Sequence, residues 1–267
     1  MSGYTHFAGV KSSDVITVGP SKGADVFNYT DLEAAFAAMV PGGVMHIYPG
    51  TYSLTETLTV DYACDIYGIG NVTINGGTDG IEDRLVMLNK PPAGTAVTII
   101  SFYNIKFVNA YSAADVIEID NDGGATGHFK PCFYDCSFDS NAGLSFDIDQ
   151  TTNTILMYVY ISGHRAAWMV MDGMNVAFTL AASILEVRGY DFQDQVIALG
   201  TTNVAWILQL SDCVYQSEAF TTGGSASAIL NMIGCAKMAS AAISAPVIED
   251  SDATFASENI QNGVLDT

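Results

Sequence analysis

The chain has 267 residues, 49% of them hydrophobic and 14% charged, which excludes a disordered chain and leaves room for one elongated repeat domain or two small globular ones. Its 29 acidic against 9 basic side chains give a formal net charge of −20. That charge repels phosphate backbones and anionic headgroups, so neither nucleic acid nor a membrane is an expected partner.

Residues 1–29 carry Gly, Ser and Asp among scattered apolar positions such as Tyr4, Phe7, Val15, Ile16 and Val18, with no helical period. They are expected to form an extended arm, with 30–267 as the folded domain. Met1 to Val10 holds no basic run followed by an apolar stretch, so no Sec-type leader is expected, and the chain is expected to be made in a host cytoplasm. Thr30 stands in N-cap position before Asp31 to Met39, and Glu33 takes the capping-box place. Leu32, Phe36 and Met39 share one face, and Pro41-Gly42-Gly43 ends the predicted helix.

From Val44 the helical period gives way to short β-rich runs separated by Gly, Asn, Asp and Ser. Val44–Tyr48, Leu58–Val60, Asp65–Tyr67 and Val72–Ile74 are too short for sandwich strands. Similar runs return around Ile105, Cys136, Ile161, Ile184, Cys213, Cys235 and Ile260, at steps of 22 to 31 residues, with Ile74 lying 31 before Ile105. A rung of three short strands and three turns needs roughly 22 to 30 residues. The recurrence therefore predicts a solenoid, a single-stranded parallel β-helix behind a short capping helix.

Val44 to Gly77 resembles the opening rungs of the pectate-lyase-like right-handed parallel β-helix superfamily. The likeness is carried by Pro49-Gly50-Thr51-Tyr52, Gly68-Ile69-Gly70 and Ile74-Asn75-Gly76-Gly77, with the Ala-rich helix before them. It implies the all-β fold and leaves function open, because that fold hosts lyases, hydrolases, tailspikes and virion proteins.

The densest acidic group is Asp115, Glu118, Asp120 and Asp122. Alternation in Val116 to Asp120 puts Glu118 and Asp120 outward, and the group reads as a solvated strand face and turn, ahead of a weak calcium site or an acid/base pair. A lyase needs a base and cations beside a uronate. Arg84, Arg165 and Arg188 are the only arginines, and Ser162-Gly163-His164-Arg165 reads as an ordinary turn. His6, His46, His128 and His164 are dispersed without metal spacing. Five cysteines, Cys64, Cys132, Cys136, Cys213 and Cys235, form no CxxC pair and are expected as reduced interior thiols. Cys132 and Cys136 have one strand parity, and Cys213 and Cys235 fall in equivalent places of successive rungs. No catalytic residue, cofactor or metal is expected.

The charge-poor stretch from Ala166 to Ala245 holds more apolar residues than a narrow coil can turn inward, which predicts burial against other copies. The opening Met-Ser-Gly-Tyr-Thr-His-Phe resembles the start of small phage head proteins. The expected function is a non-enzymatic capsid decoration or cement protein on the virion exterior. It would form a homotrimer contacting the major capsid protein, with Tyr4, Phe7 and Val10 of the arm as partner-binding residues and the coil independent of that arm. The alternative is a short tailspike or adhesin that binds or cleaves host polysaccharide.

Overall fold

The computed structural model describes residues 15–20, 27–76, 81, 84–89, 97–109, 115–120, 127–140, 144–150, 155–163, 170–171, 174–178, 183–192, 197–199, 205–215, 220–222, 227–239, 242–244, 247–249, 257–260 and 264–266. Among these, every strand pair is parallel except Ala236–Ala239 with Ala242–Ser244. The backbone is a right-handed parallel β-helix.

One face is a ten-stranded sheet running, in chain order, through Val15–Val18, Gly43–Ile47, Cys64–Gly68, Val97–Tyr103, Gly127–Tyr134, Ile155–Ser162, Ile184–Arg188, Ala205–Ser211, Ser227–Ile233 and Ser257–Ile260. A second, seven-stranded sheet holds Leu58–Val60, Arg84–Asn89, Asp115–Asp120, Phe146–Asp149, Met174–Ala177, Ile197–Leu199 and Phe220–Thr222. The third side is made by a four-stranded sheet of Gly50–Ser53, Val72–Asn75, Lys106–Asn109 and Ser137–Ser140. It is continued by a five-stranded one containing Asp191–Phe192, Val214–Tyr215 and Ala236–Ala239.

Alternation along each strand decides what fills the tube. In Gly43–Ile47 the odd positions are buried and Val44 and His46 face out. Stacking repeats this from rung to rung, so like side chains lie over like. Phe102 stacks on Phe133 at 5.4 Å and Phe107 on Phe138 at 5.7 Å, while Phe133 meets Phe138 and Phe146 edge to face. All five rings are fully buried.

A single corner explains the sequence recurrence. Each of five strands of the ten-stranded sheet ends in a left-handed residue: Asn104 (φ 55°), Asp135 (54°), Gly189 (74°), Asp212 (55°) or Gly234 (67°). Asn, Asp and Gly are the residues that reach this region at least cost. One buried residue follows, respectively Ile105, Cys136, Tyr190, Cys213 or Cys235, and then the next strand begins. The equivalence of Cys213 and Cys235 is thus as expected. Ile161, Ile184, Ile260 and Ile74 do not belong to this column. Ile161 pairs with Phe133, Ile184 with Tyr158, Ile260 with Met232, and Ile74 with Phe107. Their β-branched shape marks a strand interior equally well, so residue type misplaced them. Successive partners Asp65, Ser101, Cys132, Tyr160, Glu186, Gln209 and Asn231 are separated by 36, 31, 28, 26, 23 and 22 residues, so rungs shorten through the middle of the coil, while the steps at its two ends, Val44 to Asp65 and Asn231 to Asn259, are 21 and 28.

The helix spans Leu32–Ala37 and buries Leu32, Ala35 and Phe36. Asp31, not Thr30, is its N-cap, in extended conformation with its carboxylate accepting from the Ala34 amide at 3.2 Å. Glu33 closes no capping box. It crosses to the next turn of chain, where it accepts from the Thr55 amide at 2.5 Å and from the Thr55 hydroxyl. Within the stretch read as an arm, Val15–Val18 forms the first strand of the ten-stranded sheet, and Val18 is fully buried.

Candidate functional site

The outward face of the ten-stranded sheet carries two distinct columns of side chains. Register aligns His46, Tyr67, Tyr103, Tyr134, Ser162, Arg188, Ser211 and Ile233 in one. Within it Tyr67, Tyr103 and Tyr134 stack nearly parallel at 4.4 and 4.7 Å, and His46 meets Tyr67 edge-on at 5.7 Å. The ring planes cover one another, so the column offers edges and hydroxyls to a partner. Burial lowers the His46 pKa and raises those of Tyr67, Tyr103 and Tyr134, with Asp65 adding repulsion at Tyr67. The three tyrosines remain neutral across ordinary pH.

Four residues back along each strand lies an aliphatic column with Ile99, Lys130, Tyr158, Ile184 and Ile207. The Lys130 ammonium rests over the Tyr158 ring at 4.6 Å, and the Tyr158 hydroxyl donates to Glu186 at 2.6 Å. Val97 (49% exposed), Ile99 (42%) and Ile233 (46%) are among the most exposed large hydrophobic side chains of the described residues. Between the columns, Ser101 and Cys132 face outward but are covered by their larger neighbours. Cys132 and Cys136 therefore do not share a face. The left-handed Asp135 lies between them and turns Cys136 into the tube.

A second cluster sits on the outward face of the seven-stranded sheet. Glu118 lies beside Asp147 and Asp120 beside Asp149 on neighbouring rungs, a two-by-two grid with about 4.8 Å between strands. Glu118 is paired with Arg84, and Asn175 donates to Asp147 at 2.9 Å. Desolvation, followed by the charges of Asp120 and Asp147, raises the Asp149 pKa. The sequence showed Glu118 and Asp120 facing out but not their partners. Asp147 and Asp149 alternate with Phe146 and Ile148 in a run that matches Glu118 and Asp120 only once the register is known. Asp115 instead accepts from the Leu144 amide at 2.9 Å. No group of three or more His, Cys, Asp or Glu converges to hold a metal ion among the described residues.

No family model matches the chain, and no curated protein does. A solved structure does match. It is a pectin methylesterase from Aspergillus niger, 17% identical, covering 96% of this chain and 93% of that one with a TM-score of 0.41. The expectation that the chain is not an enzyme is corrected by this match: a protein sharing the β-helix is itself an enzyme, so the lack of a familiar motif is no ground for excluding catalysis.

Of the residues singled out in the sequence, Glu118 and Asp120 are brought together with further carboxylates, and His46 joins the tyrosine column. His128 is exposed on the same face, next to Val97. Arg188 lies 3.6 Å from Asp212 at the surface. Tyr4, Phe7, Val10, His6, Asp122, His164, Arg165, Trp168 and Met169 lie outside the described residues. The tyrosine column was missed because Tyr67, Tyr103 and Tyr134 are 36 and 31 residues apart. Tyr103 and Tyr134 each close a strand just before a left-handed residue, and Tyr67 stands one residue from the end of its own, three before the left-handed Gly70; that shared place was the available signal.

Proposed function

We propose that this chain is a structural protein of a phage particle, a decoration or cement protein that sits on the shell as a trimer and ties neighbouring units of the major capsid protein together. The observation that supports it best is the outward face of the ten-stranded sheet. Exposed Val97, Ile99 and Ile233, with a tyrosine column beside them, make an apolar surface of the kind that marks contact with other chains. Sugars stack on ring faces, and in this column the faces are already occupied, so the surface suits a protein better than a glycan. The phage context rests on the likeness of the opening residues to small phage head proteins. Mass spectrometry and cryo-imaging of purified particles test this reading. Many copies on the head are expected, and absence from the head refutes it.

The second reading, a short tailspike or adhesin acting on host polysaccharide, is favoured by the four-carboxylate grid. Retaining glycosidases hold two carboxyl groups about 5 to 5.5 Å apart and keep one protonated. Glu118 beside Asp147 and Asp120 beside Asp149 stand on adjacent rungs whose backbones lie about 4.8 Å apart, a spacing compatible with the first requirement, and the raised Asp149 pKa tends to the second. Release of reducing ends from host polysaccharide, lost in Asp149→Asn, would support this reading. Intact polysaccharide after prolonged incubation refutes it.

A further inference from the structure

We infer that the outward face of the ten-stranded sheet is where copies of this chain meet one another, the aliphatic column of one copy lying against the tyrosine column of the next. The inference rests on the assembly reading above and names the surface and the partner.

Charge is the first argument. The chain carries a net −20, so two copies repel wherever acidic surfaces face each other. The grid of Glu118, Asp120, Asp147 and Asp149 would place four carboxylates against four. On the strands of the ten-stranded sheet, the described outward charged side chains are Asp65 and Glu186 against Lys130 and Arg188, and Asp212, ion-paired with Arg188 from the adjoining corner, leaves the face one negative charge in all. A strongly acidic molecule approaches its own copy at least cost through a face that is locally close to neutral.

Area is the second. Seven strands from Cys64–Gly68 to Ser227–Ile233, each seven residues or so long, present roughly 750 Å² at about 4.8 Å between strands and 3.3 Å per residue. In a ring that uses one column for each neighbour this is the total taken from each copy, close to the about 800 Å² that a stable interface takes from each partner, and the two contacts divide it. Composition fits as well, since tyrosine edges and aliphatic side chains fill interface centres.

The third argument is that the two columns differ. They stand four residues apart along the strands, roughly 13 Å. A contact in which one column meets the other kind is head-to-tail, and head-to-tail contacts close into rings when the rotation permits. Three copies standing side by side, each turning this face to a common axis, satisfy both columns of every copy.

The test is sedimentation velocity on the purified full chain, with the double variant Ile99→Lys/Ile207→Lys and the control Thr59→Lys on the seven-stranded sheet. The wild type and the control are expected to associate. The double variant, with unchanged far-UV circular dichroism, is expected to need a concentration at least about tenfold higher. A wild type that stays single at every concentration, or a folded double variant that associates like the wild type, overturns the inference. Should the double variant not fold, hydroxyl-radical labelling of the wild type decides. Labelling of Tyr67 and Tyr134 must fall on association, and equal labelling overturns the proposal. A single-copy protein found in quantity on phage heads would sink this inference, and the trimer with it, while leaving the place on the shell intact; an oligomer absent from heads would do the opposite.

Discussion

Phe133 is the side chain on which the packing of the middle rungs can be measured. It is fully buried and touches three rings, Phe102 at 5.4 Å, Phe138 at 5.5 Å and Phe146 at 5.1 Å. Truncating a buried phenylalanine to alanine costs about 3–5 kcal/mol. Each ring pair contributes about 0.5–1.5 kcal/mol beyond area, so ring contacts supply a large part of that loss. Phe133→Leu keeps much of the volume and loses the rings, and is expected to cost about 1–3 kcal/mol. Rungs couple chiefly to their neighbours, so a gap at this level also lowers the denaturant slope as the two ends begin to unfold separately. Equilibrium urea unfolding followed by circular dichroism reads both quantities. A cost below about 1 kcal/mol for Phe133→Ala with an unchanged slope would refute the claim that stacked rings hold these rungs together. So would zero coupling between Phe133 and Phe138 in a double-mutant cycle.

Four further outcomes follow from the same geometry. A Cβ at Gly68 would lie 2.1 Å from the Asn104 carbonyl oxygen, and the Asn104 amide donates to the Gly68 and Gly70 carbonyls at 2.9 and 3.0 Å. Gly68→Ala is therefore expected to cost about 1–3 kcal/mol in urea unfolding, and a neutral effect contradicts the close approach. The native state holds the Asp149 proton more tightly than the unfolded chain does. That contribution is present below the ordinary carboxylate range and is lost as pH rises through the raised value, so Asp149→Asn should raise Tm at pH 7 and do nothing in acid. The Cys213 thiol, hydrogen-bonded to the Cys235 sulfur, lowers the Cys235 pKa, whereas burial pushes Cys64 and Cys136 up to about 12. Peptide mapping after limited alkylation should find Cys235 modified first, and Cys213→Val should remove that preference. Deleting residues 1–29 removes the strand Val15–Val18, the buried Val18 and the Thr17–Asn28 hydrogen bonds, so a lowered Tm is expected, and an unchanged melt would show the strand to be dispensable.

Fold class was legible because a parallel coil writes its recurrence into the chain: Asn104-Ile105, Asp135-Cys136, Asp212-Cys213 and Gly234-Cys235 all read as a left-handed residue followed by an inward one. The same signal failed at Ile161 and Ile184. A β-branched residue serves a strand interior as well as a corner, and shortening rungs leave no fixed period to arbitrate. The helix boundary moved by one residue because Asp31 and Thr30 are both competent caps, and the choice depends on which backbone turns extended. Half of the carboxylate grid was visible as alternation in Val116 to Asp120. Its other half, like the tyrosine column, exists only across rungs, where register brings residues some thirty positions apart into contact.

The corner that leaves the ten-stranded sheet is two residues long at Asn104-Ile105, Asp135-Cys136, Gly189-Tyr190, Asp212-Cys213 and Gly234-Cys235, but three after Cys64–Gly68 and longer still after Ile155–Ser162. At those five rungs any difference in length is taken up elsewhere in the turn of the coil. The connections between Asn89 and Val97 and between Asp120 and Gly127 both join the seven-stranded sheet to the ten-stranded one. Foreign peptides spliced into them would be carried along one shared edge, which makes the coil a scaffold for displaying them.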